Sequence, residues 1–197
     1  MYVLGIGFNC YNPSACLLKD NNIVAFIEEE RLNRIKNSAN SFPILSIKNC
    51  LEQGNIQLSD IAYIAYGFEV TNYDNGNMRT FCDSIEFEKD HSTKEWEEQN
   101  IQLFSDVNIR KSITLNFLKA GISGSIPQIK YYSHHLCHAA SSFYCSDFNH
   151  AIAITMDGSG DDNCAVLWEC EGNQIKEIES IKLPNSLGWL YASITEY

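Results

Sequence analysis

Residues 2–28 read YVLGIGFNCYNPSACLLKDNNIVAFIE and contain three short apolar runs, at 2–7, 14–19 and 23–28. Asn-Pro and Asp-Asn-Asn, both turn formers, separate the runs. Apolar runs of about four to eight residues between turn signals are typical of β-strands. The stretch therefore predicts three consecutive strands joined by turns.

The same pattern returns about 150 residues later. Apolar runs at 151–157, 164–171 and 174–183 are again separated by turn sequences, and a helix is predicted to begin near Ser186. At an offset of 150, Leu4 corresponds to Ile154 and Leu17 to Leu167. This repetition favours a duplicated α/β unit, and chance similarity between two apolar hairpins is the alternative.

Helix and strand patterns alternate between these two segments. Residues 44–53 place Ile44, Ile47 and Leu51 on one face and stop at Gly54, which predicts a helix. The remaining predictions are strands at 61–67 and 129–132, a helix at 134–145, one long helix at 94–120 with Val107, Ile113 and Leu118 on its apolar stripe, a long loop at 69–92, and a charged loop or short helix at 28–37.

Composition excludes several classes of protein. The 197 residues carry a formal net charge of −11 without a basic stripe, which argues against nucleic-acid binding. No apolar run reaches the roughly 18 residues of a membrane helix, and the amino terminus lacks the features of a signal peptide. Eight cysteines occur without a CxxC pair, so we expect reduced, buried thiols in a cytoplasmic protein.

Residues 131–148, YYSHHLCHAASSFYCSDF, place His134, His135 and His138 within five positions. Residues four apart share a helix face, so His134 and His138 could bind one metal ion through two imidazoles, with His135 facing away. A pair formed by His135 and His138 is a second possibility, and histidines that only cap or cover a helix are a third.

Residues 155–163, TMDGSGDDN, combine a strand end with Asp and Gly. We expect a turn at 158–162 that places the Asp157 carboxylate at the mouth of the sheet, where glycine lets backbone N–H groups approach a phosphate. The alternative is an ordinary turn between strands. The corresponding positions 7–13 are also small and polar, and two such facing turns describe the phosphate-binding hairpins of an actin-like ATPase fold.

The segment EEERLNRIKN at 28–37 is most simply a solvated charged loop. Its alternative is that Arg31, Arg34 or Lys36 reaches an anionic ligand.

Taken together, these motifs resemble those of the O-carbamoyltransferases of the nodulation and antibiotic-biosynthesis type. The resemblance rests on HHLCHAASSFYCSDF, MDGSGDD and LPNSLGWLYASIT, and on the front segments YVLGIGFNCYNPSACLLKDNNIVAFIEEERLNRIKN and FPILSIKNCLEQGNIQLSDIAYIAYG. It covers nearly the whole chain and is weakest from about residue 71 to 126.

The resemblance implies an α/β protein of the actin/hexokinase-like (ribonuclease H-like) duplicated fold. It implies a complete first lobe at 1–148 and a truncated second lobe at 149–197. The activity implied is transfer of a carbamoyl group from carbamoyl-adenylate to a hydroxyl of a sugar or natural product. A separate downstream domain would make that donor from ATP and carbamoyl phosphate.

The same resemblance implies roles for individual residues. His134 and His138 match ligands of an iron ion, Fe(2+), that holds the phosphate end of the nucleotide, with a third aspartate ligand expected beyond Tyr197. Lys36 matches a lysine that grips the carbamoyl group. The nucleotide contacts are expected from Asp157, Gly158, Ser159, Gly160 and Asp161.

The chain departs from the pattern at Tyr11-Asn12, where relatives often carry His-Asp, and at Asn37 and Asn185, where they often carry His. Tyr11 thus stands in the place of a proposed general base, and a phenol is mostly protonated at neutral pH. Two alternatives follow: another actin-fold phosphotransferase such as a sugar kinase, which leaves the histidine pair unexplained, or a non-catalytic nucleotide-binding module. We expect residues 1–197 alone to be inactive and to self-associate.

Overall fold

A computed structural model of the chain describes residues 1–85 and 88–195. Its strands are β1 Tyr2–Gly7, β2 Ser14–Lys19, β3 Asn22–Glu28, β4 Ile61–Tyr66, β5 Gln128–Tyr131, β6 His150–Gly160, β7 Asn163–Glu171 and β8 Gln174–Lys182. Its α-helices are α1 Glu29–Asn33, α2 Ile44–Gly54, α3 Thr71–Asp74, α4 Asn77–Ser84, α5 His91–Leu103, α6 Asp106–Lys119, α7 His134–Phe143 and α8 Leu187–Thr195.

The first sheet has the strand order β3-β2-β1-β4-β5. Strands β1, β2 and β3 pair antiparallel, whereas β4 pairs parallel with β1 and β5 pairs parallel with β4. Helices cover this sheet, so Leu4, Leu17 and Ile64 have no exposed surface. The prediction of an α/β protein is confirmed, with a mixed sheet.

The second sheet has the order β6-β7-β8 and is antiparallel throughout. Leu4 pairs with Leu17 in the first sheet, and Ile154 pairs with Leu167 in the second, at the offset of 150 seen in the sequence. The pairing of the middle and third strands shifts register directly after Leu17 and again directly after Leu167. Two antiparallel meanders of the same strand order are therefore confirmed.

Residues 69–92 are not the predicted long loop. Helices α3 and α4 and the start of α5 lie within this segment. These helices could not be predicted from the polar sequence, because short helices of this kind depend on tertiary contacts more than on a periodic apolar face.

The single helix predicted over residues 94–120 is also wrong. Helix α5 ends at Leu103, and Ser105 begins α6 by accepting a hydrogen bond from the Asn108 N–H through its hydroxyl. A serine in this position satisfies a backbone donor that a continuous helix would otherwise pair.

Because α6 starts anew after Ser105, the face that it buries differs from the face that one continuous helix would bury. Ile109, Ile113 and Phe117 lie in the core, four residues apart, whereas Val107 and Leu118 are each 73% exposed. The predicted apolar stripe was therefore right for Ile113 and wrong for Val107 and Leu118, because it assumed one helical phase across Ser105.

The charged segment at 28–37 contains the short helix α1 and is only partly solvated. Glu29 is buried, and its carboxylate accepts hydrogen bonds from the backbone N–H groups of Leu45 and Ser46 and from the Ser46 hydroxyl. Pro43, the residue before α2, makes no side-chain hydrogen bond that would cap the N-terminus of this helix. Glu29 therefore supplies, from another helix, the acceptor that the N-terminus of α2 needs.

All eight cysteines are free, as predicted, but their burial is not uniform. Cys50, Cys164 and Cys170 are buried, and Cys145 is exposed, so the expectation that all are buried is wrong. Among the described residues, no helix is both long enough and apolar enough to cross a membrane.

A buried hydrogen-bonded chain joins α7 to the second sheet. The Trp168 indole N–H donates to the Thr155 hydroxyl (3.0 Å), which lies 3.0 Å from Nδ1 of His135. Nε2 of His135 lies 3.2 Å from the Asn163 carbonyl oxygen. Because a carbonyl oxygen only accepts, Nε2 carries the proton, and the Thr155 hydroxyl donates to Nδ1. Burial lowers the pKa of His135, in keeping with a neutral ring.

Thr155→Val should destabilise the fold by about 2–4 kcal/mol, because it leaves the Trp168 donor and the His135 acceptor buried without partners. Urea unfolding followed by fluorescence would measure the loss. Thr114→Val is the matched control, since Thr114 is exposed and bonds only within its own helix. Equal stability of the two variants would show that the buried chain contributes nothing.

The second sheet and α8 expose a set of large apolar side chains. They are Ile152, Ile154, Met156, Leu187, Leu190 and Ile194, each at least 55% exposed. Exposed apolar surface of this extent favours association. We expect the chain to self-associate, and Ile154→Lys combined with Met156→Lys to shift it toward monomer in sedimentation velocity. A wild-type chain that stays monomeric at all concentrations would contradict this expectation.

Candidate metal centre

One edge of the first sheet collects the ends of three strands. Strands β1, β4 and β5 run parallel, so their carboxyl ends meet at the same edge. Helix α7 begins there, two residues after β5, and Ser133 caps it by accepting a hydrogen bond from the Leu136 N–H. Open α/β sheets bind ligands at this edge. His134 is thereby placed at a position suited to a ligand site.

The predicted histidine pair converges on a carboxylate. Nε2 of His134 lies 2.9 Å from Nε2 of His138 and 2.9 Å from Oδ2 of Asp157, and Nε2 of His138 lies 3.4 Å from that oxygen. The three ligand atoms all lie within 4.8 Å of one another. His135 points away into the core and has no exposed surface, so the i, i+4 pair is the one that shares a face.

The two imidazoles control the charge of the carboxylate. His134 first, and then His138, hold the pKa of Asp157 far below its usual range, and the Gly158 N–H adds to this through Oδ1 at 2.9 Å. Asp157 is therefore held in its ionised form at neutral pH. Two nitrogen donors and one anionic oxygen form a set that suits iron or zinc.

A distortion in β6 aims the Asp157 side chain at the histidines. Met156 pairs with Ala165 and Gly160 pairs with Asn163, so residues 157–159 together face the single residue 164. Bulges of this kind bend a strand and redirect a side chain. The turn predicted at 158–162 is thus wrong in extent, because β6 continues to Gly160 and the turn contains only Asp161 and Asp162.

Gly160 leaves room for the His134 ring. A Cβ atom placed on Gly160 would lie 2.3 Å from Cδ2 of His134, which is far inside van der Waals contact. The ring also packs against Phe68, with centroids 4.6 Å apart. Contacts with a strand and with an aromatic ring therefore position the imidazole.

Asp161, predicted to contact a nucleotide, is engaged within the protein. Its side chain accepts hydrogen bonds from the backbone N–H groups of Glu69 and His134, both at 2.8 Å, and the residue is 4% exposed. Burial raises the pKa of Asp161. In this structure the carboxylate ties the segment after β4 and the start of α7 to the β6–β7 turn.

Residues at and just before the start of helix α8 contact the bulge in β6. The Ser186 hydroxyl donates to the backbone oxygen of Gly158 at 2.7 Å and accepts from the Trp189 N–H at 3.1 Å. A Cβ atom placed on Gly158 would lie 3.5 Å from the Trp189 ring, so the indole lies beside this glycine. Ser159 is exposed. Gly158 and Ser159 are therefore the predicted nucleotide-contacting positions that lie nearest to open surface beside the cluster.

Lys36 and Tyr11 lie at the same edge of the first sheet, but they are not part of the metal cluster. Tyr11 follows β1 and is 78% exposed, and Lys36 lies exposed after α1, which follows β3. Among residues 1–85 and 88–195, no hydrogen bond or ion pair joins either side chain to His134, His138 or Asp157. Their roles stay predictions.

The sequence reasoning missed Asp157 as a member of the metal cluster. It treated this aspartate as a nucleotide contact and expected an acidic ligand only beyond residue 197. The available signal was the Asp-Gly pair at the end of an apolar strand that directly follows the histidine helix, since strand ends and helix starts can meet at one edge of an α/β protein.

Two curated proteins resemble this chain in sequence. Nodulation protein NolNO of Sinorhizobium fredii is 33% identical over 187 residues, which are 95% of this chain and 25% of that protein. The uncharacterized protein sll1178 of Synechocystis is 30% identical over 208 residues, which are 100% of this chain and 32% of that protein. The chain thus spans about a quarter to a third of the length of these curated relatives.

A solved structure shares the fold. The uncharacterized protein with similarity to peptidase YEAZ from Pseudomonas aeruginosa superposes with a TM-score of 0.50 at 10% identity, covering 98% of this chain and 78% of that one. The model of the family described as "Carbamoyltransferase N-terminus" matches residues 2–197. The chain belongs to this family.

Proposed function

We propose that this chain is the transfer part of an O-carbamoyltransferase, which moves a carbamoyl group from carbamoyl-adenylate to the hydroxyl of a small-molecule acceptor. The observation that carries the proposal is the convergence of His134, His138 and Asp157 at the carboxyl edge of the sheet, in a chain that belongs to the carbamoyltransferase family. The alternative function, a sugar kinase, does not explain this cluster of two histidines and one aspartate.

The donor set fits a divalent metal, and ferrous iron is the ion we propose. The ring of His134 is already fixed by Gly160 and Phe68, so forming a site requires little rearrangement of this ligand. Iron bound there would supply a positive charge for the phosphate end of the nucleotide. A further ligand from outside the chain, including the aspartate expected beyond Tyr197, is compatible with three protein donors.

The transfer step follows from the chemistry of the donor. The acceptor oxygen attacks the carbamoyl carbon and forms a new C–O bond. The bond between that carbon and the phosphate oxygen breaks, its electron pair leaves with AMP, and the hydroxyl proton passes to water. Lys36, an exposed cation on the same edge, would polarise the carbamoyl oxygen. The backbone at Gly158 and Ser159 would contact the phosphate.

Tyr11 is better suited to contacting the acceptor than to removing its proton. Its phenol is 78% exposed and follows β1, two strands away from β5. A phenol is a weak base at neutral pH, so we propose a positioning role for Tyr11. A chain that binds nucleotide without catalysing transfer would support the non-catalytic alternative.

We also infer that residues 1–148 form a first lobe and residues 149–197 the opening of a second, as in the actin/hexokinase-like fold. The matched pairing of Leu4 with Leu17 and of Ile154 with Leu167 supports this division, as does the register shift that follows each middle-strand leucine. The proposed site then lies where the two units meet. The domain that makes carbamoyl-adenylate stays a prediction.

His138→Ala should abolish stoichiometric retention of iron, since it removes one of three protein donors. The measurement is elemental analysis after anaerobic loading with ferrous iron and desalting. His150→Ala is the matched control because His150 is 62% exposed at the far end of β6. Iron retention by His138→Ala equal to that of the control would overturn the metal assignment.

Gly160→Ala should weaken iron binding by about 10- to 100-fold, because the added methyl group displaces the His134 ring. Gly5→Ala makes the same chemical change where the nearest atom would lie at an ordinary 3.7 Å, so it should bind iron like the wild type. Competition against a chelator of known affinity measures both. Wild-type affinity in Gly160→Ala would show that His134 is not a ligand.

A further inference from the structure

The side chain of Trp189 lies beside the candidate metal centre and has no part in the proposed transfer step. Trp189 is in the first turn of α8 and is 51% exposed. Tryptophan is enriched at binding interfaces, because its large apolar ring gains much from being covered. Its position and its exposure together make Trp189 a candidate ligand contact.

The indole lies face-on against the backbone of the bulge in β6. A Cβ atom placed on Gly158 would be 3.5 Å from Cε2, 3.7 Å from Nε1 and 3.9 Å from Cδ2 of Trp189. Cε2 is a fused ring carbon with no free in-plane position, so an atom that has Cε2 as its nearest neighbour approaches the ring from one of its faces. Gly158 therefore lies over one face of the indole, and a second flat ring can stack only on the opposite face.

Short contacts fix the start of α8, and with it Trp189, relative to the bulge. Ser186 is 8% exposed, and its hydroxyl donates to the Gly158 backbone oxygen at 2.7 Å while it accepts from the Trp189 N–H at 3.1 Å. A Cβ atom on Gly188 would lie 2.6 Å from the Asp157 backbone oxygen, so the helix comes this close because position 188 has no side chain. The backbone that carries Trp189 is thus held by contacts within the protein, which lowers the cost of ordering it around a ligand.

The indole and the metal cluster are separated by the span of a single residue. Gly158 contacts the ring of Trp189, and its backbone nitrogen lies 2.9 Å from Oδ1 of Asp157, whose Oδ2 faces His134 and His138. A nucleotide has its parts in a similar arrangement, because one ribose separates the phosphate from the flat base. A phosphate held at the cluster would therefore place a base within reach of the open face of the indole.

We propose that Trp189 stacks on the nucleobase of the nucleotide bound at the metal cluster. The inference rests on the proposed function for the presence of a nucleotide, and it adds a contact to the base, whereas the proposed transfer step uses contacts to the phosphate and to the carbamoyl group. Aromatic side chains hold bases through their flat faces, and truncating such a side chain typically weakens binding by roughly 5- to 150-fold.

The test compares AMP with ribose 5-phosphate, which has the sugar and the phosphate but no base. Calorimetric titration of the iron-loaded chain should show tighter binding of AMP. Trp189→Leu should weaken AMP binding about tenfold and leave ribose 5-phosphate binding unchanged, whereas Trp189→Phe, which keeps a flat ring, should retain most of the preference for AMP. Tyr191→Leu is the matched control, because Tyr191 is a 73% exposed aromatic residue two positions further along and therefore on a different face of α8.

A wild-type chain that binds AMP no more tightly than ribose 5-phosphate, or that binds neither, would overturn the proposal. So would a Trp189→Leu variant that keeps the preference for AMP, or one that loses affinity for both ligands equally, since an equal loss indicates a structural role.

Iron retention measured on the same preparations separates this inference from the proposed function. If His138→Ala loses iron while the Trp189 results fail, the stacking proposal falls and the metal site stands. If the preference for AMP depends on Trp189 while His138→Ala keeps its iron, the base contact stands and the metal-dependent transfer does not.

Discussion

The carboxylate of Asp161 connects the parts of the molecule that must meet for the site to exist. It binds the Glu69 N–H after β4 and the His134 N–H at the start of α7, while its own backbone forms the β6–β7 turn. A buried carboxylate that accepts two backbone hydrogen bonds fixes three segments at once. The position of His134 relative to Asp157 depends on this connection, because one residue lies on α7 and the other on β6.

Local geometry then completes the cluster. The bulge at 157–159 turns the Asp157 carboxylate toward the histidines, and the absence of a side chain at Gly160 allows the His134 ring to lie against the strand. Beneath them, His135 and Thr155 lock α7 to the second sheet through buried hydrogen bonds. Adjacent histidines thus have different tasks: one faces the open edge, and the next holds the helix in place.

The family and the geometry contribute different kinds of support. Membership of the carbamoyltransferase family gives a reaction class, and the three converging side chains give a place on this chain where a charged donor could be held.

Periodicity and turn residues were sufficient for the two meanders, since strand pairs joined by short turns are local structures whose register follows from the alternation of apolar residues. The spacing of His134 and His138 likewise placed both on one helix face. Tertiary structure decided the rest. The break at Ser105, the burial of Glu29 and Asp161, and the arrival of Asp157 beside the histidines all depend on partners distant in sequence. A linear pattern does not contain those partners, because it records neither which sheet edges coincide nor which backbone donors lack acceptors.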